Sequence, residues 1–144
     1  MIENGFHTTE IRVRYADTDQ MGVAYNGNYL VWFEIGRTEF LRERGLPYKK
    51  LEEDGYLLPV IESFVKYLKP IRYDEVICIR THFGEKPSLK LKMCYEIFCR
   101  GQLMATGFTL HVFTDRNMKP VKPPADALKK ITELWEIYST ERIK

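Results

Sequence analysis

Apolar and polar residues recur with two different periods along this chain, and the change of period marks its elements. In Thr8–Tyr15, Ile11, Val13 and Tyr15 share one face and Glu10, Arg12 and Arg14 the other, the alternation of a half-buried strand. The next stretch, ADTDQMGVAYNGN, is polar, carries two glycines and reads as a loop. From Asn28 to Arg44 the period becomes helical: Tyr29, Trp32, Phe33, Gly36 and Phe40 line one face, and Leu30 and Leu41 widen the stripe. Asn26 or Asn28 supplies the N-cap, and Gly45 with Pro47 the stop. Gly36 costs this helix about 1 kcal/mol against Ala, which predicts a close approach to another backbone.

Pro47–Asp54 reads as a short second helix closed at Gly55. Four strand-like segments follow: Leu57–Leu68, Glu75–Phe83, Leu89–Arg100 and Gln102–Thr114. The third alternates most cleanly, with Leu89, Leu91, Met93, Tyr95, Ile97 and Cys99 on one face. Pro70, then Gly84 with Pro87, then Gly101 punctuate these segments, and such short links predict antiparallel pairing of successive strands. Pro120, Pro123 and Pro124 lead into an amphipathic helix over Ala125–Ile137. The sum is an α+β arrangement, a five-stranded antiparallel sheet curled around one long apolar helix, in a single domain over residues 1–144.

Composition narrows the function. Hydrophobic residues make up 44% and charged residues 29%, a globular balance. A net charge of +2 is too small to argue for nucleic acid or an anionic membrane, yet suits a small polyanion. No apolar run approaches a membrane span, and the N-terminus lacks a secretory pattern. Cys78, Cys94 and Cys99 form no CxxC pair, so free thiols in a reducing cytoplasm are expected.

Candidate chemistry emerges by elimination. There is no GxSxG elbow and no glycine-rich phosphate loop. His7, His82 and His111 are scattered without metal-ligand spacing, so neither metal nor cofactor is expected. What remains is the loop before the long helix, with Asp17, Thr18, Asp19, Gly22, Tyr25, Asn26 and Asn28. A carboxylate there has two readings. It caps the helix, worth roughly 1 kcal/mol. Alternatively, it works beside the free N–H groups of the helix N-terminus, which stabilise charge developing on a carbonyl oxygen while the carboxylate attacks the carbon or activates water.

The stretch Arg12–Gly45 resembles the acyl-CoA thioesterase family typified by 4-hydroxybenzoyl-CoA thioesterase, and looks closest to its short-chain branch linked to the Tol–Pal system. The resemblance rests on Arg12-Val13, Asp17-Thr18-Asp19, Gly22-Val23, Tyr25 and Tyr29 at the family's spacing. YLKPIRYDEV (Tyr67 to Val76) and HVFTDRNMKPVKPP resemble its later segments. It implies a hotdog fold, hydrolysis of acyl-CoA, and homo-oligomers (dimers or tetramers) with acyl sites at the subunit interface. It also implies Asp19 as the catalytic carboxylate, with the backbone N–H at Asn26 polarising the thioester carbonyl. Gly22 and Tyr25 belong to the same motif as substrate-binding positions. Leu58, Pro59 and Val60 are placed beside the substrate as an apolar wall, and Lys86 and Lys90 are candidates for coenzyme A phosphates. At Asn26 the chain departs from the family, which carries His in the Tol–Pal-linked branch and an aromatic in hydroxybenzoyl-CoA enzymes. Asn is no base at neutral pH, but its backbone N–H is unchanged. Asp17, the first carboxylate of the pair, reads as a loop-structuring residue and not as a catalytic partner of Asp19. Two rival functions are enoyl-CoA hydration, which needs a well-placed His, and non-catalytic acyl-CoA binding.

Overall fold

A helix with aromatics on most of its circumference must be enclosed, and here the sheet does the enclosing. The structure, a computed structural model, describes residues 1–143 and side chains through Glu141. Lys144, the last residue of the expected domain, lies outside the described residues. The central helix α1 (Asn28–Glu43) buries Tyr29, Trp32, Phe33, Gly36, Phe40 and Leu41, whereas Leu30 is exposed. Phe33 stacks on Tyr95 of the sheet with ring centroids 4.2 Å apart, and Phe40 packs on Phe83 at 5.4 Å. The capping residue is Gly27, with no side-chain cap bond, so neither candidate asparagine fills that role.

Gly36 makes the close approach its position predicted, but to side chains and not to backbone. A Cβ there would lie 2.7 Å from Thr81 Oγ1 and 2.8 Å from Ile79 Cγ2. The missing methyl lets α1 settle onto the sheet.

That sheet has six strands where the sequence pattern predicted five. The addition is β1 (Ile2–Glu3), which pairs with β2 (Phe6–Arg12) through a two-residue Asn4-Gly5 turn. Both turn residues have positive φ, the geometry that Asn-Gly favours in tight hairpins. Helix α2 (Tyr48–Glu53) follows α1. Strands β3 (Val60–Tyr67), β4 (Val76–Phe83), β5 (Lys90–Cys99) and β6 (Gln102–Val112) stand close to their expected bounds. In β5 every second residue from Leu91 to Cys99 is buried. The first strand ends early: Val13 is buried, but Tyr15 enters a 3₁₀ turn and is exposed.

The pairing of successive strands holds for β4–β5 and β5–β6 but not for β3 and β4. The order is β1-β2-β4-β5-β6-β3, all antiparallel, so β3 lies at the far edge against β6. Both sides of β4 are already taken, by β2 and β5. The link from β3 to β4 therefore crosses one end of the sheet, held by Ile71 C=O accepting from Ala24 N–H and Val13 C=O accepting from Asp74 N–H. Pro70 marks this crossing and not a hairpin. Helix α3 (Ala125–Ile143) runs past its expected end and buries Ala127, Ile131 and Leu134. Among the described residues no helix is long and apolar enough to cross a membrane.

Candidate active site

The loop between β2 and α1 is built around two carboxylates with opposite fates. Asp17 is buried; its Oδ2 accepts from Arg14 N–H at 2.8 Å and its Oδ1 from the Arg14 guanidinium at 3.0 Å. Burial alone would raise its pKa, but the bonds from Arg14 outweigh that and hold Asp17 below the usual carboxylate range. Its backbone C=O accepts Tyr25 N–H at 2.8 Å, which fastens both ends of the loop. Asp17 is thus consumed by structure.

Asp19 is not. Thr18 bridges Ala24, and Asp19 N–H donates to Val23 C=O, making a miniature hairpin that lifts residue 19 beside the helix start. Asp19 Oδ1 accepts Met21 N–H at 2.9 Å, an Asx turn that fixes the side chain. Among the described residues it has no ion-pair partner. Gly22 closes the hairpin at φ +80, which disfavours any residue with a Cβ. Its place is the turn itself, off the cleft lining.

Asp19 opens into a cleft of about 460 Å³. Tyr25, Asn26 and Tyr29 from the helix start form one wall, and Tyr67, Leu68, Lys69 and Pro70 from the end of β3 form the other. The backbone N–H groups of Asn26 and Gly27 donate to nothing among the described residues, as expected at a helix N-terminus. Asp19 and Asn26 thus border one space. Tyr67, which sequence reasoning did not single out, locks the geometry: its hydroxyl donates to Asn26 C=O at 2.9 Å, and its ring meets Tyr29 edge-on at 4.8 Å. In the sequence it stood only as the first residue of the YLKPIRYDEV segment, with nothing to mark its hydroxyl. Burial, then Tyr67, pushes the Tyr29 phenol up to about 12, so it stays protonated and neutral.

The remaining sequence candidates lie elsewhere in this chain. Val60 pairs with His111 and Lys90 with Val112, whereas Tyr67 pairs with Ala105. Leu58, Pro59, Val60, Lys86 and Lys90 therefore sit at the opposite end of the sheet from Asp19. Along β3 that separation is roughly 23 Å, at about 3.3 Å per residue. None of them lines the Asp19 cleft. The three histidines are also absent from it. Among the described residues no cluster of acidic, His or Cys side chains is arranged to hold a metal.

The profile of the Thioesterase-like superfamily matches residues 13–131. The chain belongs to this superfamily. Within it, the chain is 37% identical over 115 residues to a putative acyl-CoA thioesterase, YneP, of Bacillus subtilis, covering 78% of this chain and 83% of that one. Among solved structures it is similar to the hypothetical protein TT1821 from Thermus thermophilus, with TM-score 0.85 and 37% identity over 88% of this chain and 98% of that one. It is likewise similar to a DHNA-CoA thioesterase from Staphylococcus aureus, with TM-score 0.79 and 35% identity over 96% and 91% of the two chains. The thioesterase-like match begins at Val13 and so takes in the whole Asp17–Asn28 loop, while the β1–β2 hairpin lies before it. The sheet curled around α1 is the hotdog arrangement of this superfamily.

Proposed function

We propose that this chain is a single thioesterase domain that hydrolyses acyl-CoA thioesters to a free acid and coenzyme A. The observation that carries the reading is that Asp19 and Asn26, whose backbone N–H donates to nothing among the described residues, line one cleft at the start of α1. A thioester carbonyl oxygen placed against that amide gains charge stabilisation as the tetrahedral intermediate forms. Asp19, held by Met21 N–H and free of any cation, acts on the carbonyl carbon directly or through a water. The C–S bond then breaks, and the coenzyme A thiolate leaves. Asn26 contributes its N–H and not its side chain. Tyr25, whose ring covers Gly27, walls the cleft mouth. The reaction calls for neither metal nor cofactor. The names borne by similar proteins, a putative acyl-CoA thioesterase and a DHNA-CoA thioesterase, support the substrate class.

Enoyl-CoA hydration has no support in the cleft, because no histidine reaches it. The expectation of an interfacial site, by contrast, gains a physical argument. β3 is an edge strand with Val60, Ile61, Phe64 and Tyr67 all exposed, an aggregation liability unless another strand covers it. Pairing two β3 edges antiparallel about a two-fold axis places the start of one beside the end of the other. Leu58, Pro59 and Val60 of the partner subunit then face the Asp19 cleft, and Lys86 and Lys90 of the partner subunit move to the same side for the coenzyme A phosphates. The active species in this reading is a homodimer, alone or within a tetramer. The free cysteines suit the reducing cytoplasm as its compartment.

The test is Asp19→Asn in purified protein assayed for thiol release across acyl-CoAs of varied chain length and aromatic character. Turnover is expected to fall roughly 10²–10⁴-fold with the fold intact. Unchanged turnover removes Asp19 from the chemistry. Binding of acyl-CoA by the unsubstituted protein without thiol release would favour the non-catalytic alternative.

A further inference from the structure

Four polar groups cross the apolar core in a line. Tyr95 of β5, Thr109 and His111 of β6 and the Leu58 carbonyl before β3 are linked at 2.6, 2.7 and 3.3 Å. The three side chains are 0–2% exposed. The positive charge of Arg37 on α1 lies near the Tyr95 end of the line. Polar groups in such a core cost free energy unless bonded, and apolar residues of similar shape would fill the same space.

The carbonyl end fixes the direction of every bond. A carbonyl only accepts. His111 Nδ1 therefore carries the proton and donates to Leu58 C=O. Burial followed by the nearby Arg37 charge lowers His111 to about 4, so the imidazole is neutral and its Nε2 accepts from the Thr109 hydroxyl. The Thr109 hydroxyl in turn accepts from the Tyr95 hydroxyl. The line runs one way through two strands to the segment leading into β3.

We propose that the Tyr95–Thr109–His111 chain is a positioning device that fixes the Leu58–Pro59 segment as the acyl-contacting wall of the partner subunit's cleft, making His111 a determinant of acyl selectivity although it touches no substrate. This rests on the dimeric thioesterase reading above. Leu58 takes no part in a named strand and is only half-buried. Its backbone N–H and C=O are therefore not fixed by a sheet ladder, and the bond from His111 ties it to the core. A shift of that wall alters the length and shape of the acyl group accepted, without moving Asp19 or the amides of Asn26 and Gly27.

The test compares His111→Leu, which removes the bond to Leu58, with His111→Asn, whose amide nitrogen stands where Nδ1 stood. Thr109→Val, which breaks the line at constant shape, is the third variant. Each is assayed for kcat and KM over a series of acyl-CoAs. His111→Leu is expected to raise KM for the preferred acyl group by about 10-fold and to reorder the series, with kcat on the best substrate within about twofold. His111→Asn and Thr109→Val both keep the bond to Leu58 and lose the one between residues 109 and 111, so both are expected to retain the original order with a smaller rise in KM. A lower melting temperature with an unchanged acyl order in His111→Leu overturns the proposal, as does an Asn variant that behaves like Leu. Failure of the parent reading shows separately, as an unsubstituted protein that releases no thiol from any acyl-CoA.

Discussion

Asp17 and Asp19 stand two positions apart, and their environments divide the labour of the loop. Asp17 closes the 3₁₀ turn Tyr15–Asp17 and folds back onto Arg14, whereas Asp19 opens the small hairpin that follows and meets the cleft. Asp17→Asn is expected to cost about 1–2 kcal/mol, because it weakens two part-buried hydrogen bonds from Arg14. The sign with pH follows from the direction of its shift. A carboxyl held below its ordinary value stabilises the fold above that value, near pH 4, and the contribution disappears as pH falls through the folded pKa. Urea unfolding at pH 7 and pH 3 is expected to show a large deficit for the variant at the first and a smaller one at the second. Asp19 was legible in the sequence because the DxD, the glycine and the helix start occupy fixed offsets. Tyr67 was not, since its role depends on β3 ending beside a helix some 40 positions earlier, as the separation of its bond to Asn26 shows.

At the scale of elements, periodicity located helices and strands well and connections poorly. The bounds of α1 and of β4 to β6 follow from burial patterns local to each segment, whereas β3 is exposed along nearly its whole length. The separation of β3 from β4 depends on which strand edges are already filled, and nothing in a single segment records that. The Asn4-Gly5 turn was a readable hairpin signal with too short a strand before it for alternation to register. Close contact between elements leads to a second prediction. A methyl at Gly36 meets Thr81 and Ile79, both branched at Cβ and unable to swing aside. Gly36→Ala gains about 1 kcal/mol of helix propensity, yet overpacking costs typically 1–3 kcal/mol. We expect net destabilisation of about 1 kcal/mol, read as a lower melting temperature at unchanged helix content. A third prediction concerns the line of bonds between β5 and β6. Folded His111 refuses a proton down to about pH 4, whereas in the unfolded chain it binds one near 6.5. The unfolded state therefore gains relative stability as pH drops from about 6.5 to about 4, by about 3 kcal/mol over the span. Arg37, with the hydroxyls of Tyr95 and Thr109 and the Leu58 carbonyl, faces the ring throughout. His111→Asn cannot titrate there, so its stability is expected to vary less with pH than that of the unsubstituted protein between pH 7 and pH 4.5.

The whole molecule raises a question that one chain does not answer by itself. Half of the candidate site, Asp19 with the helix amides, lies at one end of the sheet, and the apolar wall and the two lysines lie at the other. Antiparallel pairing of β3 edges resolves the separation, because each cleft then takes its carboxylate from one protomer and its wall from the other. This division has a consequence that mixing reveals. In the proposed dimer Asp19→Asn removes the carboxylate and Pro59→Trp blocks the wall, so each variant alone is expected to form homodimers with two dead sites. A hybrid dimer of the two holds one doubly damaged site and one built only from unsubstituted residues. Dissociating and reassociating the variants at equal concentration makes about half of the dimers hybrid, so about one quarter of the original turnover is expected to return if the site is shared across a two-fold interface. If Pro59 instead acted within its own chain, each protomer of the hybrid would carry one lesion in its own site, and thiol release would stay at the level of the separate variants.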